Sequence, residues 1–212
     1  MEITWYGQSC FRLTERGSAS VVTDPFDHKV VGYSALKLKA DIVTVSHEAP
    51  GHNFLEAVKG YKYLLDGPGE YEIGGVFITG VRTNGKNKDD QPRNTLYVFD
   101  YDGLSVAHLG DLREVPTRSQ IEALGEVNIA LVPVGDGGGL SAAKAAEAIG
   151  VLDPNIVVPM HYATPDSKLP FDPLDKFIKE MGLGTIESEA SLKITKGSLP
   201  EDTRVIVLEY QK

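Results

Sequence analysis

A chain of 212 residues, 42% hydrophobic and 24% charged, has room for one well-buried domain and the composition of an ordinary soluble globular protein. Its formal charge of -9, spread without blocks of one sign, disfavours a phosphate backbone as partner, and its one cysteine, Cys10, excludes an intrachain disulfide or a thiolate-rich metal site. No apolar run approaches membrane-spanning length, and MEITWYGQSC lacks the basic region and apolar core of an export signal, so a cytoplasmic location is expected.

Residues 2–23 read as three short strands, EITWY, SCFRLT and SASVVT, turned at Gly7 and at Glu15-Arg16-Gly17. The third ends in Thr23-Asp24-Pro25, ahead of a loop from Phe26 to Tyr33 in which His28 reads as a solvated histidine. Then comes DIVTVSHEAPGHN, from Asp41 to Asn53. The β-branched run Ile42-Val43-Thr44-Val45 predicts a buried strand, and Ser46-His47 leads from it into a turn on Pro50-Gly51. His47 and His52 therefore fall on a loop at a strand end, where a rigid strand fixes metal-binding or catalytic side chains. Residues 53–58 are expected to form a helix stopped by Gly60. His47, Glu48 and His52 do not make a His-Glu-x-x-His pair, because His52 comes one residue too late to share a helical face.

Lys62 to Asp66 predicts a further strand, and EYEIGGVFITGV alternates about Gly74-Gly75 as a two-residue hairpin. The polar stretch RTNGKNKDDQPR, with Lys86, Lys88 and Arg93, reads as an exposed loop. Asn94 to Asp100 and Leu104 to His108 form a second hairpin on Asp102-Gly103, and the chain then delivers HLGDL with Asp111. A helix over 119–124, a buried strand over 129–132 and the glycine-rich PVGDGGG follow; that loop lacks the Gly-Lys-Ser/Thr of a phosphate-binding loop. An Ala-rich helix is expected from Ser141, its N-cap, to Ile149, with Gly150 past its end. Residues 156–160 lead to His161-Tyr162, residues 172–181 predict a helix, and SLKIT and RVIVLEY are closing strands. Cys10 reads as a packed side chain, and Trp5 and Tyr162 as core or rim.

The stretch from Asp41 to Asn53 resembles the first metal motif of the metallo-β-lactamase superfamily, His-x-His-x-Asp-His after a buried strand. His47 and His52 match its first and last histidines. Ala49 and Gly51 stand where the middle His and the Asp would be, and neither side chain can bind a metal. The strand ending in Asp24-Pro25, the dipeptide Gly110-Asp111 and His161 match the family in order. The third-motif histidine would fall at Asn84 or a neighbour, and no His occurs between His52 and His108.

This resemblance covers nearly the whole chain and implies an α+β fold, a four-layer αββα sandwich closest in pattern to the small prokaryotic zinc-hydrolase-like branch. It also implies a depleted site. One ion of the family's pair would have only His47 and a share of Asp111, while the other would keep His52, Asp111 and His161. Two histidines, a carboxylate and a water is the ligand set of catalytic zinc sites. The expected function is a metal-dependent hydrolase with at most one divalent metal, zinc or manganese, acting on an ester, lactone or phosphoester. The alternative is a non-catalytic relative, with no metal, that uses its pocket or surface for binding. Asp111 is then the candidate catalytic group, His108 is expected to support the ligands from behind, and Glu48 is the neighbour able to replace the lost base. The expected partner is a small-molecule substrate or ligand, not nucleic acid or membrane, and a homo-oligomer is left open.

Overall fold

In the computed structural model, which describes residues 1–83 and 93–212, two mixed sheets face each other. The first runs Leu192–Lys193, Glu2–Trp5, Phe11–Thr14, Val21–Thr23, Ile42–Thr44, Tyr63–Leu65; its early strands pair antiparallel, and the last three lie parallel. The second runs Arg204–Val205, Ile156–Met160, Ile129–Pro133, Leu104–His108, Asn94–Tyr101, Val76–Thr83, Gly69–Ile73. There too a meander of antiparallel strands gives way to parallel ones.

Residue pattern accounts for the division. Most strands of the meanders alternate, as in Glu2–Trp5 and Val76–Thr83, with one face packed and one toward solvent, while the central Asn94–Tyr101 is buried at all but Asp100. The parallel strands Val21–Thr23, Ile42–Thr44, Ile129–Pro133 and Ile156–Met160 are buried at every residue, and their sequences are correspondingly apolar runs. One hydrophobic cluster, with Trp5, Phe11, Leu13, Ile42, Ile78, Leu96, Tyr97 and Phe99, fills the space between the sheets. Helix α2 (Arg118–Leu124) lies against Val76–Thr83, and helices α3 (Ala142–Leu152) and α4 (Leu174–Glu180) pack on each other outside the second sheet. A smaller cluster of Cys10, Val22, Phe26, Val31, Tyr33, Val43 and Val45 lies under the thinner cover of the first sheet. Three polar links cross between the sheets at one rim: Thr95 N to Ser46 O at 2.8 Å, His108 Nε2 to Ser9 O at 2.9 Å and His161 N to Gln8 O at 3.3 Å.

Several local expectations are corrected. The helix expected over 53–58 is a single 3-10 turn, Leu55–Ala57, after which Val58–Lys59 extends to pair parallel with Leu38–Lys39. Six residues are too few to offset helix nucleation, and β-branched Val58 favours the strand pairing. The loop carrying His28 holds a short helix, α1 (His28–Val31), capped by the Asp27 side chain and closed by Gly32 in the left-handed region. α3 runs through Gly150 to Leu152, because Ile149 and Leu152 are both buried against the sheet; Asp153 in the left-handed region ends it, ahead of Pro154. Among the described residues no helix is long and apolar enough to cross a membrane. Asn84, Lys86 and Lys88, the expected place of a third-motif ligand and its charged neighbours, lie outside the described residues, and Arg93 is exposed.

Candidate metal site

The parallel strands of both sheets end at the same rim, and loops leaving such ends are where open sheets gather ligand-binding groups. Asp24 follows Val21–Thr23, His47 and His52 follow Ile42–Thr44, Asp111 follows Leu104–His108, and His161 follows Ile156–Met160. All five are buried.

Asp24 organises the first half of the site. Its Oδ1 accepts the Ser46 N–H at 2.7 Å, and its Oδ2 accepts the Ser46 hydroxyl at 2.6 Å and the His52 Nδ1–H at 2.8 Å. Those bonds fix two imidazole tautomers. With its proton on Nδ1, His52 presents the Nε2 lone pair. The Ser46 hydrogen is already given to Asp24, so Ser46 Oγ can only accept from His47 Nδ1, 3.1 Å away, which puts the His47 lone pair on Nε2 as well. The two rings lie 4.1 Å apart between centroids.

Asp111 and His161 form the other half. The Asp111 N–H donates to Asn94 Oδ1 at 2.9 Å, and Asn94 Nδ2 donates to Leu109 O at 3.1 Å. Gly110 sits between them at φ +56°, where a Cβ would stand 2.3 Å from Asn94 Oδ1 and 2.5 Å from Ser46 Cβ, so only glycine permits this approach. Asp111 Oδ2 lies 3.8 Å from His47 Nε2 and 3.1 Å from Arg113 Nη2, and Oδ1 lies 3.8 Å from His161 Nε2. His161 holds an unfavourable φ of +58°. Its ring leans on Phe171, with centroids 4.2 Å apart.

Burial opposes ionisation of Asp24, yet the imidazoles of His108 and His52, together with the hydrogen bonds from His52 and Ser46, hold its carboxyl at about 2. Asp111 is pushed the other way: burial raises it, opposed by His52 and Arg113. His47 is lowered to about 4 by burial and then by the neighbouring His52, and burial, His52 and His47 hold His161 well below the usual imidazole range. At neutral pH His47 and His161 are neutral electron-pair donors.

The donor chemistry fits a cation. Asp111 Oδ1 and His161 Nδ1 are buried without a hydrogen-bond partner among the described residues. Gly138 and Gly139 keep the space over the carboxylate open, since a Cβ at either would come within 3.5 or 3.6 Å of its oxygens. The geometry is somewhat open: among the described residues no three His, Cys, Asp or Glu side chains stand close enough to grip an ion as they are. The 3.8 Å separations exceed the roughly 3.3 Å between ligand atoms around tetrahedral zinc, so closing on one needs a contraction of about half an ångström.

His47, His52, Asp111 and His161 are thus brought to one cavity of about 270 Å³, which Glu48 also lines from an exposed position. His108 does not line it. Fully buried, it donates from Nε2 to Ser9 O and accepts the Gly110 N–H at Nδ1, bracing the turn that carries Asp111. His28 points away on α1, 3.7 Å from Asp27. Three residues of the site were missed as such from the sequence. Asp24 had a signal, the Asp-Pro at a strand end, and Arg113 had only its place two residues beyond Asp111. Gln8, whose side chain reaches His52 Nε2 at 3.5 Å, had none.

Comparison with known proteins bears on the family and the fold. The family profile of the beta-lactamase superfamily domain matches residues 2–161. A UPF0173 protein of Pyrococcus abyssi is 29% identical over 188 residues, covering 77% of this chain and 84% of the relative, and a Thermoplasma acidophilum relative named a UPF0173 metal-dependent hydrolase is 28% identical over 193 residues, covering 78% and 85%. A crystal structure from Thermotoga maritima, described as a candidate zinc-dependent hydrolase of the metallo-beta-lactamase superfamily, superposes with a TM-score of 0.81 at 35% identity over 99% of both chains. With its two facing sheets, its rim of strand-end histidines and this coverage, the chain belongs to the metallo-β-lactamase superfamily.

Proposed function

We propose that the protein is a metal-dependent hydrolase holding one divalent cation, zinc or manganese, on His52, Asp111 and His161, and acting on a small ester, lactone or phosphoester. The observation that carries this reading is that electron-pair donors face one another across the cavity with no hydrogen bond joining the imidazoles to the Asp111 carboxylate. His52 Nε2 and His47 Nε2 are lone-pair nitrogens by the tautomers Asp24 imposes, and they converge on a carboxylate whose Oδ1 has no partner. Like partners of that kind call for a cation. Relatives named metal-dependent hydrolases support the same reading.

A bound cation would supply Lewis acidity, polarising the scissile group and acidifying a water. The chain's own residues do the rest. Asp24 keeps His52 turned so that Nε2 faces the cavity, and the His161 main-chain N–H to Gln8 O holds His161 opposite it. On the Oδ2 side of Asp111, neutral His47 offers Nε2 to a proton leaving the nucleophile, and Arg113 places a guanidinium where negative charge would grow. Val31, Leu169, Pro170 and Phe171 form a wall that limits water and admits a small substrate rather than a polymer.

Metal content of purified protein, and titration with zinc and manganese while following hydrolysis of p-nitrophenyl esters and bis-p-nitrophenyl phosphate, tests the reading. One bound ion and activity lost in His161→Ala are expected; a protein that takes up no metal would overturn it. One observation favours the non-catalytic alternative: Arg113 already gives Asp111 a positive partner, and that reading predicts no metal uptake.

A further inference from the structure

Gln8 is a costly residue to place where it stands. Its backbone is left-handed, φ +51°, and it is only 2% exposed. A residue other than glycine takes up that conformation only at an energetic cost. The main-chain carbonyl is tied to two parts of the site, accepting from Trp5 Nε1 at 3.1 Å and from His161 N at 3.3 Å. Its side-chain amide nitrogen lies 3.5 Å from His52 Nε2, and the amide oxygen Oε1 is buried with no partner among the described residues. Packing alone does not require this side chain, since an apolar group of the same shape would fill the space without an unsatisfied carbonyl.

Gly51 explains the room. Its backbone is outside the left-handed region, so the turn does not demand glycine there, and a Cβ built on it would stand 3.4 Å from Gln8 Nε2 and 4.0 Å from Gln8 Cδ. The Gln8 amide therefore occupies the space into which a side chain at position 51 would project, beside the His52 lone pair.

We propose that Gln8 replaces the carboxylate missing at Gly51: its amide oxygen is a donor to the cation held by His52, Asp111 and His161. The inference rests on the one-cation reading of the site. An amide suits the position because its two ends serve opposite needs. The –NH2 end donates to His52 Nε2 while that lone pair has no other partner; turned about its last bond, the same group presents Oε1 once the lone pair is engaged. A carboxylate there would face the lone pair with another acceptor. The neutral donor also leaves the cation one negative charge fewer to balance it.

Zinc and manganese affinities of the full chain, measured by competition with a chromophoric chelator, test this without reference to turnover. Gln8→Met keeps the volume and removes the oxygen, and it should weaken binding by about 10- to 100-fold, the range for losing a group that supports a metal. Gln8→Glu should tighten it, and adding Gly51→Asp to Gln8→Met should restore it. Wild-type affinity in Gln8→Met, while His161→Ala binds no metal, would overturn the role of Gln8 alone. A wild-type chain that binds neither metal would overturn the one-cation reading and this inference with it. If Gln8→Met does not fold by circular dichroism, Gln8→Glu decides: affinity equal to or below wild type is the refuting result.

Discussion

Replacing Asp24 by Asn removes the group on which both imidazole tautomers depend. Three donors, the Ser46 N–H, the Ser46 hydroxyl and the His52 Nδ1–H, end on its two oxygens, two of them on Oδ2. Asn offers one oxygen, and its –NH2 would face donors, so at least one buried bond to a charged acceptor is lost and a buried group is left unsatisfied. Losing such a bond costs about 1.5–3 kcal/mol, and breaking a buried charged network costs about 3–5 kcal/mol, so a loss of about 3 kcal/mol at pH 7 is expected. Part of this is pH-dependent with a definite sign. The unfolded carboxyl titrates near 3.8 and the folded one near 2, so between those values the unfolded chain binds more protons. The stabilisation is complete above pH 4 and is lost as pH falls toward 2, and a displacement of that size corresponds to roughly 2.4 kcal/mol. Urea denaturation of wild type and Asp24→Asn at pH 7 and near pH 3 measures both parts. A loss below about 1 kcal/mol at pH 7, or a gap between the two proteins that does not narrow in acid, would refute the reasoning.

Other expectations follow from the same geometry. His47 titrates near 4 when folded against 6.5 unfolded, so stability is fully present above pH 6.5 and falls as pH drops toward 4; His47 alone removes roughly 2 kcal/mol at pH 5, readable by denaturation at pH 7 and 5 and blunted in His47→Gln. Gly110→Ala forces a Cβ into Asn94 and Ser46 and should cost more than about 3 kcal/mol by thermal melting, whereas Gly125→Ala, at φ +70° and ψ -154° but with nothing within 4 Å, should cost only its backbone strain of about 1–3 kcal/mol and less than Gly110→Ala. Arg113→Gln removes a charge that opposes the burial-driven rise of the Asp111 carboxyl, so the acid limb of the rate profile should move to higher pH; an unmoved limb would count against Asp111 as the titrating group.

The parallel strands were legible because a strand buried on both faces must be apolar throughout, as Ile129–Pro133 and Ile156–Met160 are. His47, His52, Asp111 and His161 were legible because each stands at the end of such a strand, in the order the superfamily resemblance supplies. Asp24, Gln8 and Arg113 were not read as site residues: Asp24 meets His52 across 28 positions of chain and Gln8 meets it across 44, contacts only the folded chain makes, and Arg113 carried no signal beyond its place two residues after Asp111. Short helices were the other blind spot. The strand pairing that overrides 53–58 depends on Leu38–Lys39, distant in sequence, whereas α1, capped locally by Asp27, is too short to show a helical period.

The links Thr95 to Ser46, His108 to Ser9 and His161 to Gln8 pin one sheet to the other at the rim that carries the ligands. Because Asp24, His47 and His52 belong to one side of this seam and Asp111 and His161 to the other, an ion seated there would act as a rivet through both. Its grip would raise the free energy of parting the sheets rather than that of fraying any single loop. Amides on both sides of the seam would then slow their exchange together as metal is added.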